Sequence, residues 1–263
     1  MVLSEADIAY YKRGEYENST FWTRMGGKPS FKGASVLDVG CGLGSLCVDV
    51  AFSGAEKVVG LDTESRLIDF ANQNVRQNHP ELIGKLDFQD VDLKDYDAMK
   101  FDYIISKDSF EHIMDLKGML IEMKKHLKPE GQIYAGFGPL YNSPLGHHCR
   151  IMTFLRWRAF PWGHLLEKES TIMKRMNRFR SQGGNVFSYK EGELHSIRDL
   201  GLNMNSLADY RNAFQASGLK MVRFKVNRSK NLLSRLFFWL RIIPALEEYM
   251  THNIYCVMQN TDR

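Results

Sequence analysis

Asp38, Gly40, Gly42, Gly44 and Asp62 are the residues of this 263-residue chain whose types and spacing best suit the capture of a small ligand. The three glycines alternate over residues 40–44, and an acid stands on either side of them. Glycine lacks a Cβ and reaches positive φ, so such a turn lets a ligand come close to the backbone. Asp62 follows Gly40 by 22 residues and precedes Thr63. At that spacing a carboxylate is placed to accept hydrogen bonds from ribose hydroxyls. A glycine turn alone implies little, but with Asp62 it points to a ligand that carries a nucleoside.

The elements around these residues must put them at one sheet edge. Val36, Leu37 and Val39 form a short apolar run that predicts a buried strand. Leu46, Val48, Val50 and Ala51 predict a helix running to about residue 53. Strand, glycine turn and helix together are expected to aim main-chain N–H groups at the ligand. Val58 to Leu61 reads as a second strand ending at Asp62, and Leu67, Ile68, Phe70, Ala71 and Val75 are spaced for the next helix. A dinucleotide turn runs Gly-x-Gly-x-x-Gly; here the third glycine comes one residue early.

The stretch from Asp38 to Gly44 resembles motif I of the class I S-adenosylmethionine-dependent methyltransferases, in their small-molecule branch. That cofactor carries an ammonium and a sulfonium and no phosphate, so an acid beside the turn suits it. The resemblance covers residues 35–136 well and 206–258 loosely. It implies a Rossmann-like, doubly wound α/β sheet of seven strands with strand seven antiparallel. It also implies that Asp90, with the backbone N–H and side chain of Val91, meets the adenine; Asp92 is the neighbouring alternative. The backbone at Ser106 and Lys107 is implied to run past the methionine part. Asp108 is expected to cap the next helix, which continues over Met114 to Leu127, and His112 to lie one turn into it as a packed or capping residue, with a base role as the lesser alternative.

Residues 138–196 break the βα pattern, and 227–250 interrupt what is usually a hairpin between strands six and seven. The expected organisation is a leader or lid over 1–34, a methyltransferase core over 35–136 and 197–263 with an insertion at 227–250, and a substrate cap over 137–196. The leader is rich in aromatics, and a helix packed on the sheet edge reads as well as a lid. Ligands of open α/β sheets bind beyond the carboxyl ends of the strands. Both insertions leave the sheet there, so both are expected to roof the site. His147 and His148, in the first, are the candidate general bases, because histidine titrates near neutral pH. Tyr141 and His164 are weaker candidates. Paired histidines also bind metals, with Asp108, Glu111 and His112 as further donors, but no spacing fixes them and no metal site is assigned.

Net charge is +4 and uneven: +6 over residues 146–180, +7 over 220–246 and −9 elsewhere. The basic segments carry aromatics such as Trp157, Phe160, Trp162, Phe237, Phe238 and Trp239. A small anionic or amphipathic acceptor fits this best, with membrane-surface or protein contact through 231–243 as a further role; a core-packing helix is the plain alternative for 231–243. A lipid or RNA substrate, or a non-catalytic cofactor-binding subunit, are the competing readings, and no nucleic-acid partner is expected. The four cysteines lack Cys-x-x-Cys spacing and read as reduced thiols. With no signal-peptide pattern or long apolar run, a cytoplasmic protein is expected.

Overall fold

The computed structural model describes residues 4–148, 161–184, 186, 192–227 and 232–262. Trp157 and Phe160 of the expected cap lie outside the described residues. In chain order the elements are α1 (Glu5–Met25), β1 (Ser35–Val39), α2 (Ser45–Phe52), β2 (Lys57–Asp62), α3 (Ser65–Asn78), β3 (Leu86–Asp90), β4 (Phe101–Lys107), α4 (Leu116–Lys125), β5 (Leu127–Phe137), α5 (Glu169–Ser181), α6 (Leu207–Ala216), β6 (Lys220–Asn227), α7 (Leu232–Leu236), α8 (Pro244–Met250) and β7 (Asn253–Gln259). The sheet order is β3-β2-β1-β4-β5-β7-β6. β1 to β5 pair in parallel, and β7 runs antiparallel to both β5 and β6. This is the doubly wound sheet the sequence implies.

Successive residues of a strand face opposite sides of a sheet, and the core divides accordingly. Leu37, Leu61 and Ile104 join the layer of Leu120, Phe137, Leu207, Tyr210 and Phe214. Val36, Val58 and Ile105 join the layer of Trp22, Phe31, Cys47, Ile68 and Phe88. The sheet is thus covered on both faces, as a parallel sheet requires. A smaller cluster of Ile172, Met173, Met176, Leu194, Ile197, Leu200 and Leu202 stands outside both layers. The second insertion packs beside the first: Trp162 Nε1 donates to Tyr249 O at 3.0 Å, and Asn142 bonds to Glu248. β6 is the edge strand, and its exposed Lys220, Arg223 and Lys225 blunt an otherwise adhesive edge. Part of the basic run over 220–246 therefore has a structural cause. Among the described residues no helix is long and apolar enough to cross a membrane.

Gly44 caps α2 with φ 80°. A Cβ there would sit 2.7 Å from Phe88 Cζ and 3.2 Å from Ala71 Cβ. This third glycine serves the close approach of helix to sheet. Gly44→Ala combines left-handed strain with overpacking and is expected to cost about 2–3 kcal/mol, measured by urea denaturation.

Candidate functional site

Beyond the carboxyl ends of β1, β2 and β4 lies a cleft of about 1250 Å³. Ligand pockets commonly hold roughly 300–1,000 Å³, so a cofactor and a second molecule fit together. Its floor is the glycine turn. Gly40 N–H and Cys41 N–H both donate to Leu61 O, at 2.9 and 3.0 Å, and Gly42 N–H donates to Asp62 Oδ2 at 2.9 Å. These N–H groups are spent within the fold and do not point at a ligand, contrary to the sequence expectation. The turn contributes space instead. A Cβ on Gly42 would meet no protein atom within 4 Å, and Gly42 lines the cleft.

Asp62 holds the turn with one oxygen and accepts Glu64 N–H at 3.0 Å with the other. It lines the cleft with Thr63, Asp38, Gly40, Val91 and Lys107. Asp38 is fully buried. Its Oδ2 accepts from Cys47 Sγ at 3.2 Å, while Oδ1 has no hydrogen-bond partner within the chain. Burial pushes its pKa up to about 7, against the opposing pull of Cys47 and Lys107. Nine carboxylates (Asp7, Glu17, Asp38, Asp62, Glu64, Asp92, Asp108, Asp115, Glu122) line the cleft against five basic side chains (Arg13, Arg66, Lys94, Lys107, Arg198). The cleft's own charge therefore favours a cation.

Several sequence-based assignments change in three dimensions. Asp90 is exposed, bonds to Ser65 Oγ and does not line the cleft, whereas Asp92 does. β3 ends at Asp90, and the next turn swings Asp92 inward, where it also caps a 3-10 turn through Lys94 N–H. Val91 N–H is donated to Asp62 O at 3.1 Å, so only its side chain is available to a base. Gly44 and Ser106 lie behind the lining; Ser106 Oγ donates to Val39 O at 2.8 Å and ties β4 to β1. Lys107 Nζ reaches α1, 3.4 Å from Asn18 Oδ1 and 3.7 Å from Glu17 Oε2.

Asp108 caps no helix. It takes φ 54° at the end of β4, and its exposed side chain lines the cleft. α4 starts only at Leu116, with Asp115 Oδ1 accepting Gly118 N–H at 2.9 Å. The intervening turn turns His112 into the cleft wall, a placement helical periodicity conceals. His147 is fully buried, does not line the cleft and packs its ring 5.3 Å from that of His164. His164 is buried too, with Nε2 2.6 Å from Tyr141 O and its pKa pulled down to about 4 by burial. His148 does not line the cleft, and its ring lies 5.4 Å from that of His112.

The roof is α1. Ala6, Asp7, Tyr10, Tyr11, Arg13, Gly14 and Glu17 line the cleft, while Phe21, Trp22 and Met25 of the same helix are buried against the sheet. The leader helix packs on the sheet and also lines the cleft. Arg66 Nη1 latches it to α3 through Asp7 at 2.8 Å, and Gly14 lets it descend onto Ser45, whose Oγ would be 2.5 Å from a Cβ. Among the described residues, none of 137–196 or 227–250 lines the cleft; Arg198, just beyond the first insertion, does.

Residues 30–139 match the family model for a methyltransferase domain. A ubiquinone biosynthesis O-methyltransferase from Coxiella burnetii is 35% identical over 105 residues, 40% of this chain and 44% of that protein. A magnesium-protoporphyrin O-methyltransferase from Rhodobacter capsulatus is 37% identical over 95 residues, 35% of this chain and 41% of that protein. The chain spans less than half the length of these curated relatives. The structure of geranyl diphosphate C-methyltransferase from Streptomyces coelicolor, in complex with geranyl diphosphate and S-adenosyl-L-homocysteine, superposes with a TM-score of 0.57 at 13% identity, covering 94% of this chain and 79% of that one. The chain has the class I methyltransferase fold, and residues 30–139 are similar to a methyltransferase domain.

Proposed function

We propose that this chain transfers a methyl group from S-adenosylmethionine to a small organic acceptor. The observation that carries the reading is the buried Asp38 carboxylate, which lines the cleft with an oxygen unpartnered within the chain. A buried carboxylate is satisfied best by a cation, and the ammonium of S-adenosylmethionine is one. Asp62 and Thr63 then meet the ribose, and Asp92 with the side chain of Val91 meets the adenine. Gly40 and Gly42 leave room for the cofactor over the floor. The sulfonium supplies the electrophile, so the protein's task is alignment and exclusion of water, for which α1 is well placed.

A small acceptor is supported by the relatives, whose names assign them ubiquinone biosynthesis and magnesium-protoporphyrin methylation. His112, which lines the cleft, replaces His147 and His148 as the histidine nearest an acceptor. Calorimetry with S-adenosylmethionine and its demethylated product is expected to show one site for each. Failure to bind either would end the proposal. Binding without transfer to any acceptor in a metabolite screen would favour a non-catalytic subunit.

An amphipathic or lipid-linked acceptor is favoured by residues 235–243, most of whose large apolar side chains are exposed. Leu236, Phe237, Trp239 and Ile242 are exposed, Trp239 at 59% and Ile242 at 77%. Arg235 and Arg241 lie among them. Apolar side chains interleaved with arginine suit the interface of an anionic bilayer. Co-sedimentation with vesicles rich in anionic lipid is expected to retain the protein and to drop several-fold for a Trp239→Ser, Ile242→Ser double variant. Equal recovery with and without vesicles would remove this reading.

A further inference from the structure

Glu111, His112 and His148 come from two segments that the sequence keeps 36 residues apart, yet each offers a ligand atom within 4.8 Å of the other two. We propose that these three side chains bind a divalent transition-metal ion on the wall of the cleft.

The supports of the cluster suit such a site. The turn bearing Glu111 and His112 is pinned from below by Asn203, whose Nδ2 donates to Phe110 O at 2.7 Å and Ile113 O at 3.0 Å. Asn203 N–H in turn donates to Glu111 O at 3.0 Å. Glu111 Oε1 accepts Gly138 N–H at 3.0 Å, which fixes the carboxylate. His112 Nδ1 lies 2.6 Å from Gly201 O, and His148 Nε2 lies 2.6 Å from Pro139 O. A carbonyl only accepts, so each of these nitrogens carries its ring's proton. In a neutral imidazole the other nitrogen then holds the lone pair that a metal ion takes. A carbonyl that sets the tautomer of a histidine is the usual outer support of a metal ligand.

Two imidazoles and one carboxylate select a zinc-like first-row ion over magnesium or calcium, which prefer all-oxygen sets. Zinc with tetrahedral ligands at about 2.0–2.1 Å needs donors about 3.3 Å apart, so the side chains close inward on binding. Three protein ligands leave a position open, as catalytic rather than structural zinc sites do. His112 lines the cleft, so that position is accessible to an acceptor oxygen. The role that follows rests on the methyltransferase reading. Coordination lowers the pKa of an acceptor hydroxyl, whose proton passes to water. The oxygen lone pair then takes the methyl carbon while the C–S pair returns to sulfur, leaving neutral S-adenosylhomocysteine and one released proton.

The test is a cobalt(II) titration of tag-free, chelator-stripped full chain, read by visible d–d absorption, beside calorimetry with S-adenosylmethionine. The wild type is expected to bind one equivalent. Glu111→Gln, isosteric and still able to accept from Gly138, and His148→Ala are each expected to weaken it by about 100-fold or more. His195→Ala, at an exposed histidine outside the cluster, is expected to bind as the wild type does. A wild type that binds S-adenosylmethionine but no stoichiometric cobalt overturns the site, as does unchanged affinity in the folded Glu111→Gln variant. A wild type that binds cobalt but no S-adenosylmethionine upholds the site and overturns the methyltransferase reading instead.

Discussion

Asp62→Asn is expected to weaken S-adenosylmethionine binding by about 100-fold or more. Both carboxylate oxygens already accept a backbone N–H, from Gly42 and from Glu64, and retain lone pairs for the ribose. Asparagine has one accepting oxygen. Whichever way its amide is turned, an NH₂ group faces one of those two donors. The glycine turn loses a strut, and the ribose loses charge-assisted partners worth roughly 1.5–3 kcal/mol each. Two of them amount to at least about 3 kcal/mol, or two orders of magnitude. Calorimetry measures it, and an affinity within about threefold of wild type would place the ribose elsewhere.

Asp38→Asn is expected to act on stability and on binding in opposite directions. The folded-state pKa of Asp38, about 7, lies above its ordinary 3.8. Between those values the folded protein holds a proton that the unfolded chain has released, so stability falls as pH rises from about 4 to about 7 and is then level. Three pKa units correspond to about 4 kcal/mol, an upper bound, because the amide's own N–H groups also need partners. The variant should therefore melt near the wild type at pH 4 and well above it at pH 8. Cofactor binding should show the reverse. In the wild type it strengthens as pH rises through about 7 and Asp38 ionises to meet the ammonium; in Asp38→Asn it is weaker and loses that dependence. Melting curves and calorimetry between pH 4 and 9 check both halves. A wild type whose cofactor affinity does not change across pH 6–8 would remove Asp38 from the ammonium site.

Both predictions concern residues that stand out in the sequence, because they sit in short, continuous stretches where local rules hold. The run from Val36 to Gly44 announces its strand and turn, and Asp62 is marked by its distance from Gly40. Period-2 burial of Val36 and Leu37, or Ile104 and Ile105, carries the sheet and its two apolar layers. The capping box of Ser206 and Asp209 likewise needs only neighbours, and it starts α6 as expected.

What only the tertiary structure decided depends on turns of a few residues and on segments distant in the chain. One residue of pleat separates an acid facing the cleft from one facing away, and the turn after β3 gave Asp92 the inward place. The glycine turn's N–H groups meet Leu61 O and Asp62, partners on the adjoining strand that no local pattern reveals. The positive φ of Asp108 converted an expected helix into the turn that brings His112 to the wall. Pairing of that turn with residues 138–148 buried His147 and brought His148 against His112. The sequence by itself determined the floor of the site, since a strand and a glycine turn are local objects. The roof of the cleft, and which histidine reaches its wall, were settled by packing, because which face of an irregular segment turns inward depends on what lies across from it.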